Sequence, residues 1–217
     1  MEKYLVSLIL PRELPAGTYY SHKGSAVLIE KIEKRHYLLT TNHQVKELRR
    51  SSSPLVYLPE LNVTLPITIV AQSKTSDIAL LSFECERELD TIDPDLNSSF
   101  QEILFETEIL VYGFPKPSPA ETKDLDQLID SINLSIEPQK IIGIRYDRDN
   151  TDANNYLVLL TDKIIKRGQS GGLAATAEGL LIGINQGRDL GRGQGLVSPF
   201  WEAQTLLRDY FNVSPKT

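Results

Sequence analysis

The residue of this sequence best suited to covalent chemistry is a serine in a glycine-rich turn. Ser170 lies in the run Gly168-Gln169-Ser170-Gly171-Gly172, where glycines let the backbone turn tightly and present its N–H groups to an anion. A hydroxyl is a weak nucleophile near neutral pH, and such N–H groups stabilise the oxyanion that forms when it attacks a carbonyl. The run therefore predicts a nucleophile for acyl transfer, although the same pattern alone is also typical of a flexible loop.

A serine nucleophile needs a base to take its proton and a third group to orient that base. His43 follows the apolar run 37–39 and a short polar segment, which predicts a histidine at the end of a buried strand. Asp77 directly precedes the apolar run 78–83. Taken alone, His43 is typical of a turn or interior residue and Asp77 of a helix cap or turn. Together, in the chain order His, Asp, Ser, they predict a catalytic triad.

With these motifs the chain resembles the trypsin-like serine peptidases of the chymotrypsin fold. The resemblance covers most of the chain and is strongest to bacterial HtrA-like and glutamyl-endopeptidase-like members, in which threonine and asparagine precede the histidine. Residues 24–29 resemble the strand before the histidine strand, residues 111–115 the Gly-aromatic-Pro turn opening the second half, and residues 181–185 the strand lining the substrate cleft. HtrA-like relatives usually carry PDZ modules, and we expect none here.

The resemblance implies a role for each residue of the triad. Ser170 would attack the scissile carbonyl, His43 would take and return the proton, and Asp77 would hold the histidine tautomer. The N–H groups of Gly168 and Ser170 would form the oxyanion hole, and an acyl-enzyme intermediate would be released by water. Gln169 stands where digestive members have an acidic residue that binds a new N-terminus, so we expect no activation by N-terminal cleavage.

The elements that must position these residues are mostly short strands. Eleven short apolar segments, from Tyr4–Leu10 to Gly195–Ser198, alternate with turn residues, a spacing typical of all-β barrels. By resemblance, we expect two six-stranded antiparallel β-barrels with the active site in the cleft between them and a C-terminal α-helix. The stretch Glu84–Glu102 has the composition of a linker, which divides one peptidase domain into lobes 1–102 and 103–217.

Two segments have helical patterns. Pro119–Ile132 carries leucines and isoleucines at helical spacing and corresponds to an insertion at about 119–133, interpreted as a loop covering the second barrel rather than a mobile lid. Trp201–Phe211 follows a serine and a proline suited to a helix start and is predicted to be the closing helix.

The specificity pocket follows from family position. Ile164 would form the pocket base and Gly187 and Gly195 its walls, with Asn185 and Gln186 also contacting substrate, so we expect a small or medium apolar P1 residue. The alternative is an acidic P1 residue held by Arg188 or Arg192, whose simpler interpretation is as solvated loop charges.

Other chemistries find little support in the sequence. Cys85 is the only cysteine and has no His or Cys neighbour at metal-ligand spacing, so neither an internal disulfide, a metal nor another cofactor is expected. His22 and His36 are weaker base candidates, in a polar turn and a hairpin. The net charge of −6 and the lack of a basic stripe argue against nucleic acid. Tyr4–Leu10 is too short for a signal or membrane segment, so a cytoplasmic protein without membrane contact is expected.

These observations predict a serine endopeptidase whose partner is a protein or peptide substrate. We expect limited proteolysis of a partner protein. A regulatory protein partner would control the activity, in a regulated or defence system. The alternative is a catalytically silent binding or scaffold module that holds a peptide along the Ile182–Gly187 edge by strand addition.

Overall fold

The computed structural model describes residues 1–51, 53–93, 105–119, 121–148 and 155–211. Within these ranges the chain forms fourteen β-strands and three α-helices after a 3-10 turn at Glu2–Tyr4. The strands are β1 (Leu5–Leu14), β2 (Gly17–Ile32), β3 (Arg35–Thr40), β4 (Leu55–Leu58), β5 (Val63–Pro66), β6 (Thr68–Gln72), β7 (Ala79–Glu84), β8 (Glu108–Gly113), β9 (Glu121–Thr122), β10 (Ser135–Arg148), β11 (Asn155–Thr161), β12 (Leu173–Ala175), β13 (Leu181–Asp189) and β14 (Gln194–Pro199). The helices are α1 (Asn42–Leu48), α2 (Leu125–Asp130) and α3 (Phe200–Phe211).

The first lobe is a curved antiparallel sheet built around the long hairpin β1–β2. Its strands follow the order β5-β4-β1-β2-β3-β7-β6. The first six residues of β1 are all buried, because one face lies in the interior of the lobe and the other contacts the second lobe. A strand buried on both faces reads as a continuous apolar run, which is how β1 appears in the sequence.

The second lobe is a closed six-stranded barrel in the order β10-β11-β14-β13-β12-β8. Its interior is filled by branched aliphatic side chains, among them Val111, Ile141 and Val197. Strand β13 lies between β12 and β14 in this barrel. The turn Gly168–Gly172, which we call the nucleophile turn after the predicted role of Ser170, leads into β12, so the barrel sets its position relative to β13.

A hydrophobic cluster joins the two lobes. It contains Ile9 and Leu39 from the first lobe, Tyr112 and Ile184 from the second, and Phe200 from helix α3. Every one of these side chains is less than one-tenth exposed. Because burial of apolar area is the main favourable contribution to folding, this shared cluster fixes the lobes against each other.

The insertion does not cover the second barrel as predicted. Strand β9 pairs with β2 of the first sheet, with Tyr20 opposite Thr122 and Ser21 opposite Glu121. The Asp124 carboxylate accepts N–H groups at the start of α2, and Leu128 is buried in the cluster between the lobes. The segment therefore links the second half of the chain to the first sheet.

The prediction of an all-β chain with two barrel-like lobes and a C-terminal helix is confirmed, with two differences in detail. The first lobe is an open sheet of seven strands joined by β9, rather than a closed six-stranded barrel. The short helix α1 was not predicted. The closing helix includes Phe200 in addition to the predicted Trp201–Phe211. The predicted boundary near residue 102 lies outside the described residues and stays a prediction.

Candidate active site

The structure places His43 in the first turn of α1 instead of at a strand end. Strand β3 ends at Thr40, and α1 begins two residues later. Asp77 Oδ1 accepts the backbone N–H of His43 at 2.9 Å, and Asp77 Oδ2 lies 2.6 Å from His43 Nδ1. The Asp77 side chain is 5% exposed and that of His43 is 47% exposed. A carboxylate on Nδ1 keeps the proton there and leaves Nε2 free to accept a proton from a nucleophile.

Asn42, which the sequence analysis did not single out, holds the Asp77 segment against α1. Its Nδ2 donates to Ser73 O at 3.0 Å and to Ser76 O at 2.9 Å, and its backbone N–H donates to Asp77 O at 3.3 Å. These bonds fix the loop before β7. The short polar segment before His43 was the only signal of this role in the sequence.

The nucleophile turn is bound to both lobes. Ser170 O accepts hydrogen bonds from Gln44 Nε2 at 2.6 Å and from Ser25 N at 2.8 Å, both in the first lobe. The N–H of Gly171 donates to Asn185 O in β13 at 2.7 Å. Since Gln44 directly follows His43, these contacts bring Ser170 beside the histidine and aspartate.

No hydrogen bond joins His43 Nε2 to Ser170 Oγ among the described residues; Nε2 instead lies 3.5 Å from Thr41 Oγ1. In ligand-free enzymes, catalytic hydrogen bonds are often long and tighten only when substrate binds. The contact between Asp77 and His43 and the bond from Gln44 to Ser170 O thus bring the three predicted triad residues together, and of the two triad hydrogen bonds the one between aspartate and histidine is formed.

The peptide between Arg167 and Gly168 is held in one orientation. Lys116 N donates to Arg167 O at 2.6 Å. In a trans peptide the C=O and N–H groups point in opposite directions, so the Gly168 N–H is turned away from Lys116. This anchors the first of the two predicted oxyanion donors.

The peptide between Gln169 and Ser170 is fixed in the same way, because Gly172 N donates to Gln169 O at 3.0 Å. The Ser170 N–H therefore points away from Gly172. Neither this N–H nor that of Gly168 has an acceptor within the part of the chain that the structure describes. Two unused donors beside a serine hydroxyl are the arrangement that an oxyanion hole requires.

Gly168 has no room for a side chain. Its φ is +94°, and an added Cβ would lie 2.5 Å from Lys116 N, 2.6 Å from Phe114 O and 2.8 Å from His22 Cε1. The carbonyl of Gly168 accepts a hydrogen bond from Ser25 Oγ at 3.0 Å. Ser25 is a buried serine directly before the apolar run Ala26–Ile29, a signal that the sequence offered and that was not used.

Gln169 is buried, and its side chain is already bonded. Its Oε1 accepts from Lys166 N at 2.8 Å, and its Nε2 lies 3.5 Å from Glu137 Oε1. A neutral amide bound within its own lobe cannot form an ion pair with an N-terminal amine. Folding competence without N-terminal cleavage stays a prediction, which this contact supports.

The two weaker base candidates are both buried. His22 packs behind Gly168, and burial lowers its pKa to about 4, with the charges of Lys116 and Lys23 acting in the same direction and the Gly24 backbone opposing them. His36 is fully buried and stacks on Phe83 at 5.2 Å between ring centroids. Neither ring nitrogen of either histidine has a hydrogen-bond partner of good geometry among the described residues.

The predicted pocket base and one wall lie together. An added Cβ at Gly195 would lie 2.4 Å from Thr161 Oγ1, 2.7 Å from Lys163 O and 2.9 Å from Ile165 Cγ1, so the 161–165 segment packs directly on Gly195. Ile164 is 36% exposed, whereas Ile165 is buried in the barrel. The side chain that fills the barrel at this point is therefore that of Ile165, and Ile164 faces solvent.

The predicted substrate residues of β13 differ in what their side chains can do. Asn185 Nδ2 donates to Tyr112 O at 2.7 Å, and Gln186 Nε2 donates to the hydroxyl of Tyr156. Both amides are buried and hold the strand in place. No atom lies within 4 Å of an added Cβ at Gly187. Any contact of this stretch with substrate therefore falls mainly to its backbone.

Strand β13 has a free edge next to the nucleophile turn. Its residues 181–184 pair with β12, whereas from Asn185 onward its only strand partner within the described ranges is β14. An extended peptide can add to an unpaired strand edge through main-chain hydrogen bonds. The available edge covers residues 186–189, and the 182–184 part of the edge named for the binding alternative is occupied by β12.

Of the two arginines considered for substrate, one is already paired. Arg192 NH1 lies 3.8 Å from Asp189 Oδ2, and Arg145 NH1 contacts the same oxygen at 2.7 Å. These arginines hold the pKa of Asp189 below its usual value, Arg145 having the larger effect. Arg188 is exposed and has no ion pair within the described ranges.

Neither a metal centre nor a membrane span is evident in the described ranges. No group of three or more His, Cys, Asp or Glu residues there is arranged to hold a metal ion. Of the helices that the structure describes, none combines the length and apolar character that crossing a bilayer requires.

Comparison with solved structures identifies the fold as chymotrypsin-like. The HtrA-type protease AlgW, solved with a decapeptide, aligns with a TM-score of 0.69 and 20% identity over 95% of this chain and 64% of AlgW, so this chain spans less than two thirds of that protein. The MamO protease domain from Magnetospirillum magneticum aligns with a TM-score of 0.70 and 14% identity over 96% of both chains. The active form of the Rv3671c protease from M. tuberculosis aligns with a TM-score of 0.70 and 15% identity over 100% of this chain and 84% of that one.

Sequence comparisons give a family. No curated protein matches the chain. The profile described as trypsin-like peptidase domain matches residues 24–184, a range that contains His43, Asp77 and Ser170. This chain therefore belongs to the trypsin-like peptidases.

Proposed function

We propose that the chain is a serine endopeptidase that cleaves peptide bonds through Ser170, His43 and Asp77. The observation that carries the proposal is the pair of unused N–H groups on Gly168 and Ser170. The carbonyl of each of these two peptides accepts a hydrogen bond, from Lys116 N and Gly172 N, so each N–H points the opposite way, away from that donor. Two such N–H groups can bind an oxyanion. His43, whose Nδ1 contacts the Asp77 carboxylate, directly precedes Gln44, which is bonded to Ser170 O, so His43 is placed to act as the base.

The proposed reaction has two halves. Ser170 Oγ attacks the scissile carbonyl while His43 Nε2 takes the serine proton, and the two N–H groups bind the carbonyl oxygen as it becomes negative. His43 then gives the proton to the leaving amine, which leaves an acyl-enzyme. A water molecule, activated by the same histidine, releases the acid product. Asp77 stabilises the protonated imidazole throughout without itself taking the proton.

An endopeptidase must hold a substrate on both sides of the scissile bond. The free edge at residues 186–189 supports this, because an extended substrate added there would pass the nucleophile turn. AlgW is solved with a decapeptide and with a tripeptide, which fits peptide binding in this fold. We propose limited proteolysis of a partner protein as the outcome.

We also propose a cytoplasmic setting and control by a regulatory protein partner, within a regulated or defence system. A chain whose only cysteine is Cys85 needs no oxidising compartment for an internal disulfide. A peptidase active among the proteins of the cytoplasm requires restraint, which favours a partner that limits its action.

The experiment that tests the proposal is labelling of the purified chain with a fluorophosphonate probe, since the probe needs nucleophile, base and oxyanion hole but no particular substrate. We expect labelling of the wild type and its loss in Ser170→Ala and His43→Ala. Ser198→Ala, which removes another buried hydroxyl, is the matched control and should still label. Absence of labelling in the folded wild type would contradict the proposal for the isolated chain.

A second candidate is a silent module that binds peptides without cleaving them. It is favoured by the free edge of β13 and by the lack of a hydrogen bond between His43 Nε2 and Ser170 Oγ. Peptide binding without labelling by the probe would support it.

A further inference from the structure

Gln44 lies between the proposed base and the proposed nucleophile. It directly follows His43 in α1 and is 3% exposed. Its Nε2 donates to Ser170 O at 2.6 Å and lies 3.4 Å from Lys23 O, and its Oε1 accepts from the Thr40 hydroxyl. One side chain therefore connects the residue next to the base with the backbone of the nucleophile.

Two glycines, one from each lobe, make room for this amide. A Cβ at Gly24 in β2 would overlap Gln44 Nε2, and a Cβ at Gly171 in the nucleophile turn would lie 2.7 Å from Gln44 Oε1. The Gln44 amide is therefore packed against the backbone of both lobes, and close packing of this kind limits its motion.

The groups around the amide require a donor on one side and an acceptor on the other. Ser170 O and Lys23 O are backbone carbonyls, which only accept hydrogen bonds, whereas Oε1 faces the Thr40 hydroxyl. A glutamine amide supplies both functions. Methionine would fill a similar volume with neither, and an ionised glutamate would set a carboxylate oxygen against two carbonyls.

The peptide that joins Ser170 to Gly171 is held at both of its polar atoms. Its carbonyl accepts from Gln44 Nε2 and also from Ser25 N at 2.8 Å, and its N–H donates to Asn185 O at 2.7 Å. The Ser25 and Asn185 bonds are made by backbone atoms, so Gln44 supplies the only side-chain bond to this peptide among the described residues. Because a peptide group is planar and includes the Cα of Ser170, rotation of this plane moves the Ser170 hydroxyl.

The distance between His43 Nε2 and Ser170 Oγ is sensitive to such a rotation. No hydrogen bond joins these two atoms within the described ranges, and the Asp77 carboxylate holds only the histidine side of the pair. Reacting groups must be closely aligned, and a displacement of about 1 Å can cost about 10²-fold in rate. The bond from Gln44 to Ser170 O therefore bears on the reaction, although Gln44 is outside the triad.

We propose, on the basis of the proposed function, that Gln44 is a positioning residue for the nucleophile. Its amide holds Ser170 O, and through the backbone the Ser170 hydroxyl, at the separation from His43 that proton transfer requires. It acts through the backbone of Ser170 rather than on the reacting atoms themselves.

The first test replaces Gln44 with methionine, which removes the donor and keeps the volume. We expect Gln44→Met to react with the fluorophosphonate probe at least about tenfold more slowly per folded molecule, because the amide no longer holds Ser170 O. The matched control is Val45→Ala, at the next residue of α1, which is buried in the core of the first lobe. Val45→Ala should lose free energy of unfolding and keep the wild-type rate per folded molecule. A wild-type rate in Gln44→Met, or an equal loss in both variants, would overturn the assignment.

The second test separates hydrogen bonding from packing. In Gln44→Glu a protonated carboxyl can donate to Ser170 O in place of the amide, whereas a carboxylate cannot. The titratable side chains around this position are His43 and Glu47 in α1, Lys23 in β2 and Asp77 before β7.

The rate of each variant is divided by the wild-type rate at the same pH, which removes the pH dependence that His43 gives to both proteins. Burial raises the pKa of a carboxyl at this position. We expect the ratio for Gln44→Glu to rise as pH is lowered, while the ratio for Gln44→Met stays constant. A ratio for Gln44→Glu that does not rise would show that the amide only fills space.

The outcomes separate this inference from the proposed function. If the wild type reacts with the probe and Gln44→Met reacts equally fast, the positioning role is wrong and the peptidase proposal stands. If the wild type does not react, the peptidase proposal fails for the isolated chain, and amide hydrogen exchange of residues 168–172 decides on Gln44. Exchange there that is faster in Gln44→Met than in Val45→Ala, relative to the rest of each protein, supports the positioning role, and equal exchange overturns it.

Discussion

At the scale of single residues, Gly168 connects backbone geometry to the proposed chemistry. Its N–H is a proposed oxyanion donor, its carbonyl is held by Ser25, and its φ of +94° suits glycine rather than a residue with a side chain. A substitution here must therefore disturb both the donor and the backbone around it.

We expect Gly168→Ala to lower the rate of probe labelling by about 10²-fold or more, as loss of one oxyanion donor does in serine peptidases. The added methyl would lie 2.5 Å from Lys116 N, so the folded state should also lose roughly 1–3 kcal/mol. Labelling is measured per folded molecule, with the free energy of unfolding taken from urea titration. Gly191→Ala is the control, since its added methyl would make only an ordinary contact of 3.5 Å with Asp189 Oδ1. If Gly168→Ala were labelled at the wild-type rate, the proposed oxyanion hole would be ruled out.

His22 gives a prediction for the pH dependence of stability. Its folded pKa is about 4, whereas an unperturbed histidine titrates at 6.5. Between these values the unfolded chain binds a proton that the folded chain does not, so stability falls as pH is lowered. The contribution is fully present above pH 6.5 and is lost as pH falls to about 4, a change on the order of 3 kcal/mol.

The check is the free energy of unfolding as a function of pH for the wild type and His22→Phe. Phenylalanine keeps an aromatic ring where neither histidine nitrogen has a well-placed partner among the described residues. We expect the variant to lose stability less steeply over this range, while His36, whose pKa is also lowered by burial, contributes equally to both proteins. Parallel curves would show that His22 does not titrate as described.

The sequence was enough to single out the residues that we propose as catalytic, but not most of those that support them. Ser170 is marked by its immediate neighbours, which form a local pattern. The partners of Asn42 and Ser25 are 31 and 143 residues away along the chain, and only folding brings them together. A buried polar residue is recognisable in sequence by its apolar surroundings, but its partner is not.

At the scale of elements, the largest departures from prediction are α1 and the insertion. Helix α1 has only seven residues, too few to be stable by propensity alone, and its first turn is held by Asp77 from another segment. The insertion showed a helical pattern, but its pairing with β2 depends on a contact between distant parts of the chain. Strands such as β3 and β7 were predicted because their buried apolar runs are visible in the sequence without knowledge of which strands they pair with.

The insertion yields a prediction about how the lobes are joined. Leu128 is 1% exposed in the cluster between the lobes, so Leu128→Ala should reduce the free energy of unfolding by about 2–5 kcal/mol. The matched control is Leu190→Ala, at a leucine that is 68% exposed, which should change stability by less than about 0.5 kcal/mol. Urea unfolding of the two variants measures the difference, and similar small effects would mean that the insertion lies loosely on the surface.

At the scale of the whole molecule, the candidate active site depends on both lobes. His43 and Asp77 belong to the first and Ser170 to the second, and the Ser170 carbonyl is bonded to Gln44 and Ser25 across the boundary. The shared hydrophobic cluster keeps these contacts in register. A lobe that unfolded by itself would expose its half of that cluster and lose the site.

We therefore expect the lobes to unfold in one cooperative transition. The chain provides one reporter for each: Cys85, its only cysteine, packs against the interior of the first lobe, and Trp201, its only tryptophan, packs against the interior of the second. Pulsed thiol labelling of Cys85 and fluorescence of Trp201 should give the same urea midpoint and the same free energy of unfolding, and probe labelling of Ser170 should be lost at that midpoint. Separate midpoints would show that the lobes are independent, in which case the cluster between them stabilises the site less than each lobe's own core stabilises that lobe.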